Sequence, residues 1–186
     1  AIHALMAELL PRLDPATPLV VDAGALDCLA HLRSELRARG GNVILTPHAG
    51  EMASVLGLEK DDVTRSPRET AWQAAADLNA VVALKRADTF VATPAGDCYC
   101  YTSGDVGLAT SGSGDTLAGI IAGLAARGAG PDRAAVWGVY LHGGAGTRLA
   151  KRLGRVGYLA RELLDEVPPL LALLGGDGSR CAAETP

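Results

Sequence analysis

The chain reads as an α/β protein with a central, mostly parallel sheet flanked by helices, and three observations lead there. Short β-branched runs alternate with longer alanine- and leucine-rich runs, the pattern of strands joined by crossover helices. A Pro- and Gly-containing turn separates two short strand candidates in the middle of the chain. Beyond residue 113 the runs are helical only.

Taken in order, residues 19–22, 43–46 and 81–85 are apolar runs closed by polar or turn residues, as expected of buried parallel strands. The segments between them, 24–39, 50–56 and 67–78, are expected as the crossover helices that parallel strands require. Residues 90–92 and 98–101, on either side of Thr93-Pro-Ala-Gly-Asp97, are expected as a β-hairpin. Helices are expected over 114–127, 131–153 and 158–174, followed by a polar, flexible tail at 175–186. In the first of these, Leu117, Ile120, Ile121 and Leu124 make a buried face, and Gly119 and Gly123 are read as points of close approach. The second is apolar nearly all round and is expected to be sandwiched between neighbours.

With 186 residues and 48% hydrophobic residues, one domain spanning 1–186 is the default. A net charge of −4 supplies no broad basic surface, so nucleic acid and membrane surfaces are not expected partners. The longest apolar runs fall short of the roughly 20 residues a spanning helix needs, and no leader pattern opens the chain, so the cytoplasm is the expected compartment. Cys28, Cys98, Cys100 and Cys181 lack metal-ligand or redox spacing and are read as structural thiols.

The most informative segment is 107–128, a glycine-rich loop that runs into an apolar helix with Asp115 at the junction. The first turn of a helix offers N–H groups without intrahelical partners and a positive dipole end, which together stabilise an anion. A carboxylate there either caps the helix or serves as a base toward an attacking hydroxyl. Thr46-Pro-His-Ala-Gly-Glu51 follows the second strand, so His48 and Glu51 belong to the carboxyl edge of the sheet, as does Asp22. Lys85-Arg-Ala-Asp-Thr89, at the end of the third strand, carries two cations and a hydroxyl, suited either to phosphates or to a solvated sheet edge. His142, inside an apolar helical run, is read as a packing residue.

In order and spacing, Val-Val-Asp-Ala-Gly-Ala-Leu (20–26), Ile-Leu-Thr-Pro-His-Ala-Gly-Glu-Met (44–52), Val-Ala-Leu-Lys-Arg-Ala-Asp-Thr (82–89), Gly-Leu-Ala-Thr-Ser-Gly-Ser-Gly-Asp-Thr-Leu-Ala-Gly (107–119) and Gly-Val-Tyr-Leu-His-Gly (138–143) resemble the ADP/ATP-dependent NAD(P)H-hydrate dehydratases of the ribokinase-like superfamily. The resemblance covers about 18–167. It implies a ribokinase-like fold and a lyase of metabolite repair, which phosphorylates the ring hydroxyl of NADH or NADPH hydrate and eliminates phosphate. It implies Asp115 as base and substrate contact, His48 as a substrate contact, and Gly114, Lys85, Arg86, Ala87, Asp88 and Thr89 as the adenine-nucleotide segment. ADP (or ATP) and Mg2+ are the implied cofactors, with the metal bridging phosphates and no protein metal ligand assigned. A homo-oligomer is implied as well.

The sequence departs from the family at Arg86, where a Gly is usual, and at Gly24, where a second acid is usual. Members carry roughly a hundred further N-terminal residues, a size judged against ordinary domain lengths. The chain is therefore read as the C-terminal two thirds of the family fold, with a sheet edge left open. Two other readings stay in play: a ribokinase-like small-molecule kinase, and a catalytically inactive nucleotide-binding module.

Overall fold

Strand formation follows from runs that are apolar on both faces. Val43–Leu45 and Val81–Leu84 are buried at every position, which a strand achieves only when both sheet faces are covered. The computed structural model describes residues 2–175. Its sheet has the order β1 (Leu19–Val21), β2 (Val43–Leu45), β3 (Val81–Leu84), β4 (Thr89–Ala92) and β5 (Cys98–Tyr101). The first three strands are parallel, in the register Val20 with Ile44 and Leu45 with Val82; β3, β4 and β5 are antiparallel neighbours.

Alternation along the strands divides the core in two. Val21, Val43, Leu45, Val82, Leu84 and Ala92 pack with α3 (Ala49–Leu56) and α5 (Pro67–Leu78). Ile44, Val81, Ala83 and Val91 face the other way, against Leu117 and Ile121 of α6 (Ser113–Ala126) and Val139 of α7 (Pro131–Leu153). Each large side chain removed from water in this way contributes about 1.5–3 kcal/mol. α8 (Leu163–Gly175) is held to α7 by Glu166, which accepts from Arg148 Nε at 2.7 Å and Arg152 Nη2 at 3.0 Å.

Several expectations are corrected. The span 24–39 is not one helix but a run of 3-10 turns over Ala23–His31, followed by α2 (Arg33–Ala38); Ala23 enters at φ +52°, a left-handed conformation that no α-helix continues. Two helices were not expected, α1 (Ile2–Leu9) and α4 (Lys60–Arg65), and the last helix begins at Leu163 after a 3-10 turn, not at Tyr158. Gly119 and Gly123 face open space, so they permit no close approach; Ile120 and Ile121 turn inward and leave the glycines outward. Close approach belongs instead to α7. A Cβ on Gly138 would overlap Ile121, and one on Gly146 would lie 2.6 Å from Leu108 Cδ2. Nor is α7 sandwiched all round: Trp137 and Tyr140 are exposed. The expected tail, beyond Gly175, and Cys181 lie outside the described residues. Cys28 is buried and free; Cys98 and Cys100, free and on one face of β5, are half-buried and exposed.

No helix among the described residues is long and apolar enough to cross a membrane.

Candidate active site

The site begins where the parallel strands end. Lys85 N–H donates to Pro47 O at 2.7 Å, and this one extra bridge extends the β2–β3 ladder past the strands and sets His48 beside Lys85. His48 is also the N-cap of α3. Its Nδ1 accepts from Gly50 N–H and Glu51 N–H, both at 3.0 Å, while Glu51 Oε2 accepts from His48 N–H at 2.7 Å. An Nδ1 that accepts twice carries no proton, so the ring holds its proton on Nε2, and the side chain is 60% exposed.

Lys85 is the charge centre. Its Nζ donates to Asp22 Oδ1 at 2.7 Å and stands 3.9 Å from Glu51 Oε2, with all three side chains about four-fifths buried or more. Gly114 lies against this pair. A Cβ there would sit 3.4 Å from Lys85 Nζ and 4.0 Å from Asp22 Oδ2.

Gly114 is in the first turn of α6. The helix is entered through Gly112 at φ +84°, a conformation that favours glycine, and no side chain caps it. Ser113 N–H donates to Thr110 O and Thr116 N–H to Gly112 O, which leaves the Gly114 and Asp115 amides without a protein acceptor among the described residues. Asp115 is three residues past the cap, exposed, and makes no capping hydrogen bond. It is thus not a plain cap.

These groups border a cleft of about 790 Å³, within the usual range for a small-molecule site. Its lining combines the polar His48, Lys85, Arg86 and Arg155 with Gly114 and the apolar Leu108, Leu117 and Val139, beside Tyr101. The 3-10 turn Val106–Ala109 also lines the cleft, and its N-cap Asp105 accepts from Gly107 N–H at 3.1 Å and pairs with Arg155 at 3.3 Å. Arg86 reaches away from the cleft floor, and its Nη1 donates to Thr64 O of α4 at 2.9 Å. A Cβ on Gly143 would overlap the Tyr101 ring, so the glycine is what lets Tyr101 lie across α7.

Of the residues singled out in the sequence, His48, Lys85, Arg86, Ala87, Thr89 and Gly114 line this one cleft. Asp88 and Asp115 do not line it; both are exposed beside it, Asp115 one residue beyond Gly114. Sequence reasoning missed Tyr101, Asp105 and Arg155, and gave His142 to packing. His142 is in fact hydrogen-bonded, its Nε2 2.9 Å from Ser113 Oγ, but it also lines the cleft. Burial lowers its pKa to about 4; a hydrogen bond to the Ser113 backbone opposes this, and the nearby Lys85 charge adds to it. The ring is neutral at pH 7. Its available signal was being a polar residue in an apolar helical run.

The cleft's chemistry suits an adenine nucleotide: an apolar slot for a base, cations and acceptor-free amides for phosphates. A metal has less to hold it, since among the described residues no three His, Cys, Asp or Glu side chains gather as a ligand set.

The comparisons with known proteins agree with this geometry. The family Carb_kinase, described as NAD(P)H-hydrate dehydratase, matches residues 1–169. The ADP-dependent (S)-NAD(P)H-hydrate dehydratase of Xanthomonas campestris pv. campestris is 52% identical over 153 residues, 82% of this chain and 51% of that protein. The crystal structure of the Bacillus subtilis ADP/ATP-dependent NAD(P)H-hydrate dehydratase co-crystallized with ATP/Mg2+ is similar at a TM-score of 0.71 and 33% identity, covering 82% of this chain and 53% of that one. A ribokinase-like superfamily protein from Enterococcus faecalis V583 is similar at a TM-score of 0.74 and 25% identity, covering 90% and 57%. The chain spans about half the length of the Xanthomonas relative. Its mostly parallel sheet, its helical C-terminal half and the match across 1–169 identify it as a ribokinase-like member of the NAD(P)H-hydrate dehydratase family.

Proposed function

We propose that the chain carries out the nucleotide-dependent dehydration of (6S)-NADH or NADPH hydrate, a lyase reaction that returns the damaged cofactor to use. The observation that supports this best is the junction at Gly114 and Asp115: two acceptor-free amides and the Lys85 ammonium beside a carboxylate that does not cap its own helix.

In this reading the base of ADP (or ATP) packs against the apolar lining of the cleft, and its phosphates meet Lys85, Arg86 and the first turn of α6. Ala87, Asp88 and Thr89 border the ribose and phosphates. The exposed Asp115 faces the hydrate, with His48 contacting it through Nε2–H. Asp115 accepts the proton of the ring hydroxyl as the hydroxyl oxygen bonds to the terminal phosphorus, and the bridging P–O bond breaks with its electron pair going to the departing AMP (or ADP). The C–O bond to phosphate then breaks with its electron pair leaving on phosphate, and the adjacent ring carbon gives its proton to water while that C–H pair becomes the double bond. Mg2+, when bound with the nucleotide, would supply charge neutralisation; among the described residues no three His, Cys, Asp or Glu side chains gather to hold it. Arg86 offers donors beyond the one given to Thr64, which fits a supporting phosphate contact better than a steric block.

The chain is further proposed to fold as one ribokinase-like domain, to act in the cytoplasm on small molecules alone, and to form a homo-oligomer. Support for the last is exposed apolar surface on α7 and α8, including Trp137, Tyr140, Leu171 and Leu174.

The test is a coupled assay on this chain with ADP, Mg2+ and NADH hydrate, following the return of NADH absorbance. Recovery of NADH with release of phosphate supports the dehydratase. A stable phosphorylated product without NADH favours a small-molecule kinase, and normal nucleotide affinity without turnover leaves a binding module.

A further inference from the structure

His142, on α7, lines the cleft, and its Nε2 lies 2.9 Å from Ser113 Oγ. Ser113 is the first residue of α6 and is buried, 4% exposed. Its own N–H is taken by Thr110 O at 3.2 Å, so the residue is fixed from both sides, by the preceding loop and by α7. The next two amides, of Gly114 and Asp115, have no protein acceptor among the described residues.

The placement is unusual for a residue that merely packs. A neutral imidazole among apolar neighbours has one donor and one acceptor to satisfy. This one is joined to Ser113, the residue that opens the helix whose first turn borders Lys85, through its Oγ and its backbone. That turn has no side-chain cap, and Gly112 and Gly114 on either side of Ser113 give the backbone no stiffness of their own. The Ser113–His142 hydrogen bond therefore ties the start of this turn to the middle of α7.

We propose that His142 is a positioning residue that acts through Ser113: it fixes the first turn of α6 so that the Gly114 and Asp115 amides and the Asp115 carboxylate keep a set orientation toward the cleft. This role deepens the dehydratase reading above and rests on it for the rate. A hydrogen bond that orients reacting groups contributes to the rate step more than to binding, because misplacement by a fraction of an ångström is felt in the transition state first. His142 is therefore expected to affect kcat, with little effect on the KM for ADP.

The experiment compares His142→Gln, His142→Asn, Ser113→Ala and the double variant Ser113→Ala/His142→Asn. Glutamine places a polar atom where imidazole Nε2 stands, whereas asparagine falls short of Ser113. His142→Asn and Ser113→Ala are expected to lower kcat about tenfold each, the worth of one oriented hydrogen bond. The double variant is expected to lose no more than either single one. His142→Gln is expected to recover most of the rate, and the KM for ADP to stay within about threefold throughout. Deuterium exchange at the residue-113 and Thr116 amides, which donate to Thr110 O and Gly112 O and so are protected while the turn holds, supplies a readout that needs no turnover. It is expected to quicken in His142→Asn and Ser113→Ala and to stay near wild type in His142→Gln. The proposal is overturned if glutamine is as damaging as asparagine, if the two single losses multiply, or if KM rises while kcat holds, which would make His142 a direct nucleotide contact. If the wild type shows no dehydratase activity, the reaction reading fails by itself, and exchange still decides the positioning role: equal rates in wild type, His142→Asn and Ser113→Ala overturn it. Should His142→Asn not fold, the comparison of Ser113→Ala with His142→Gln decides in the same way.

Discussion

Lys85 is shared between the protein's own carboxylates and the phosphates it is proposed to bind, and substitutions on the two sides of that competition move nucleotide affinity in opposite directions. In the free chain its Nζ is 2.7 Å from Asp22 Oδ1 and 3.9 Å from Glu51 Oε2. Lys85→Met removes a charge-assisted hydrogen bond to phosphate, worth about 1.5–3 kcal/mol, and so weakens ADP binding roughly ten- to hundredfold. Asp22→Asn leaves the ammonium in place and relieves it of its nearest counter-charge. The Asp22 and Lys85 side chains keep 13% and 20% exposure, so water screens part of the attraction. The gain in affinity is then less than about 1 kcal/mol, or up to about fivefold. Stability moves differently, because Lys85→Met strands the Asp22 carboxylate, costing about 2 kcal/mol, a fall of roughly 4–8 °C in Tm for a chain of this size. Titration calorimetry with ADP and thermal melts of both variants measure these effects. If Asp22→Asn weakens ADP binding as much as Lys85→Met does, Asp22 supports the site rather than competing for it, and the shared-charge reasoning is wrong.

Other consequences follow from the packing around the cleft. Gly143→Ala pushes a methyl group into the Tyr101 ring, so it should cost about 1–3 kcal/mol and open the cleft beside Tyr101; equilibrium unfolding and ADP titration should both register it. Glu166→Gln removes the carboxylate shared by Arg148 and Arg152, and a loss of about 1–3 kcal/mol is expected in urea unfolding; an unchanged midpoint would mean that the α7–α8 contact is held by its apolar residues alone. His142 gives a pH dependence of known sign. Its pKa is lowered in the folded chain, from 6.5 to about 4, so the unfolded chain binds more protons between those values. Stability is complete above pH 6.5 and falls as pH drops toward 4, by up to about 3 kcal/mol from this group. Urea unfolding across pH 4–7 should show that slope, and His142→Gln should reduce it.

What the sequence made legible is what depends on burial alone. The strands at β2 and β3 are apolar on both faces, and every position in them is buried. The cleft's polar residues were legible because chain order places strand ends, and hence His48 and Lys85, at one sheet edge. α4 was not, since Lys-Asp-Asp-Val-Thr-Arg buries Val63 alone and has no apolar stripe to read. α1 buries Met6 while Ile2, Leu5 and Leu9 stay exposed, a pattern whose inward face depends on its neighbours. The glycines of α6 were misread for want of helix phase: with Leu117, Ile120 and Ile121 inward, Gly119 and Gly123 must face out. The reading of His142 as a satisfied packing residue agrees with its hydrogen bond to Ser113, but its place on the cleft was not legible. Periodicity shows that α7 is buried, but only the packing of β5, α6 and α7 shows which of its turns passes the cleft.

The central claim is that Asp115 serves the reaction as a base and not the helix as a cap. Its most direct test is Asp115→Asn, measured for NADH regeneration from the hydrate and for ADP affinity in the same preparation. Asparagine is close to isosteric and retains the first-turn amides, so ADP binding is expected to stay within about threefold of wild type. NADH return should fall by at least about a hundredfold, as expected when a positioned base is removed. Full dehydratase activity in Asp115→Asn, or loss of activity and ADP binding together, would contradict the account.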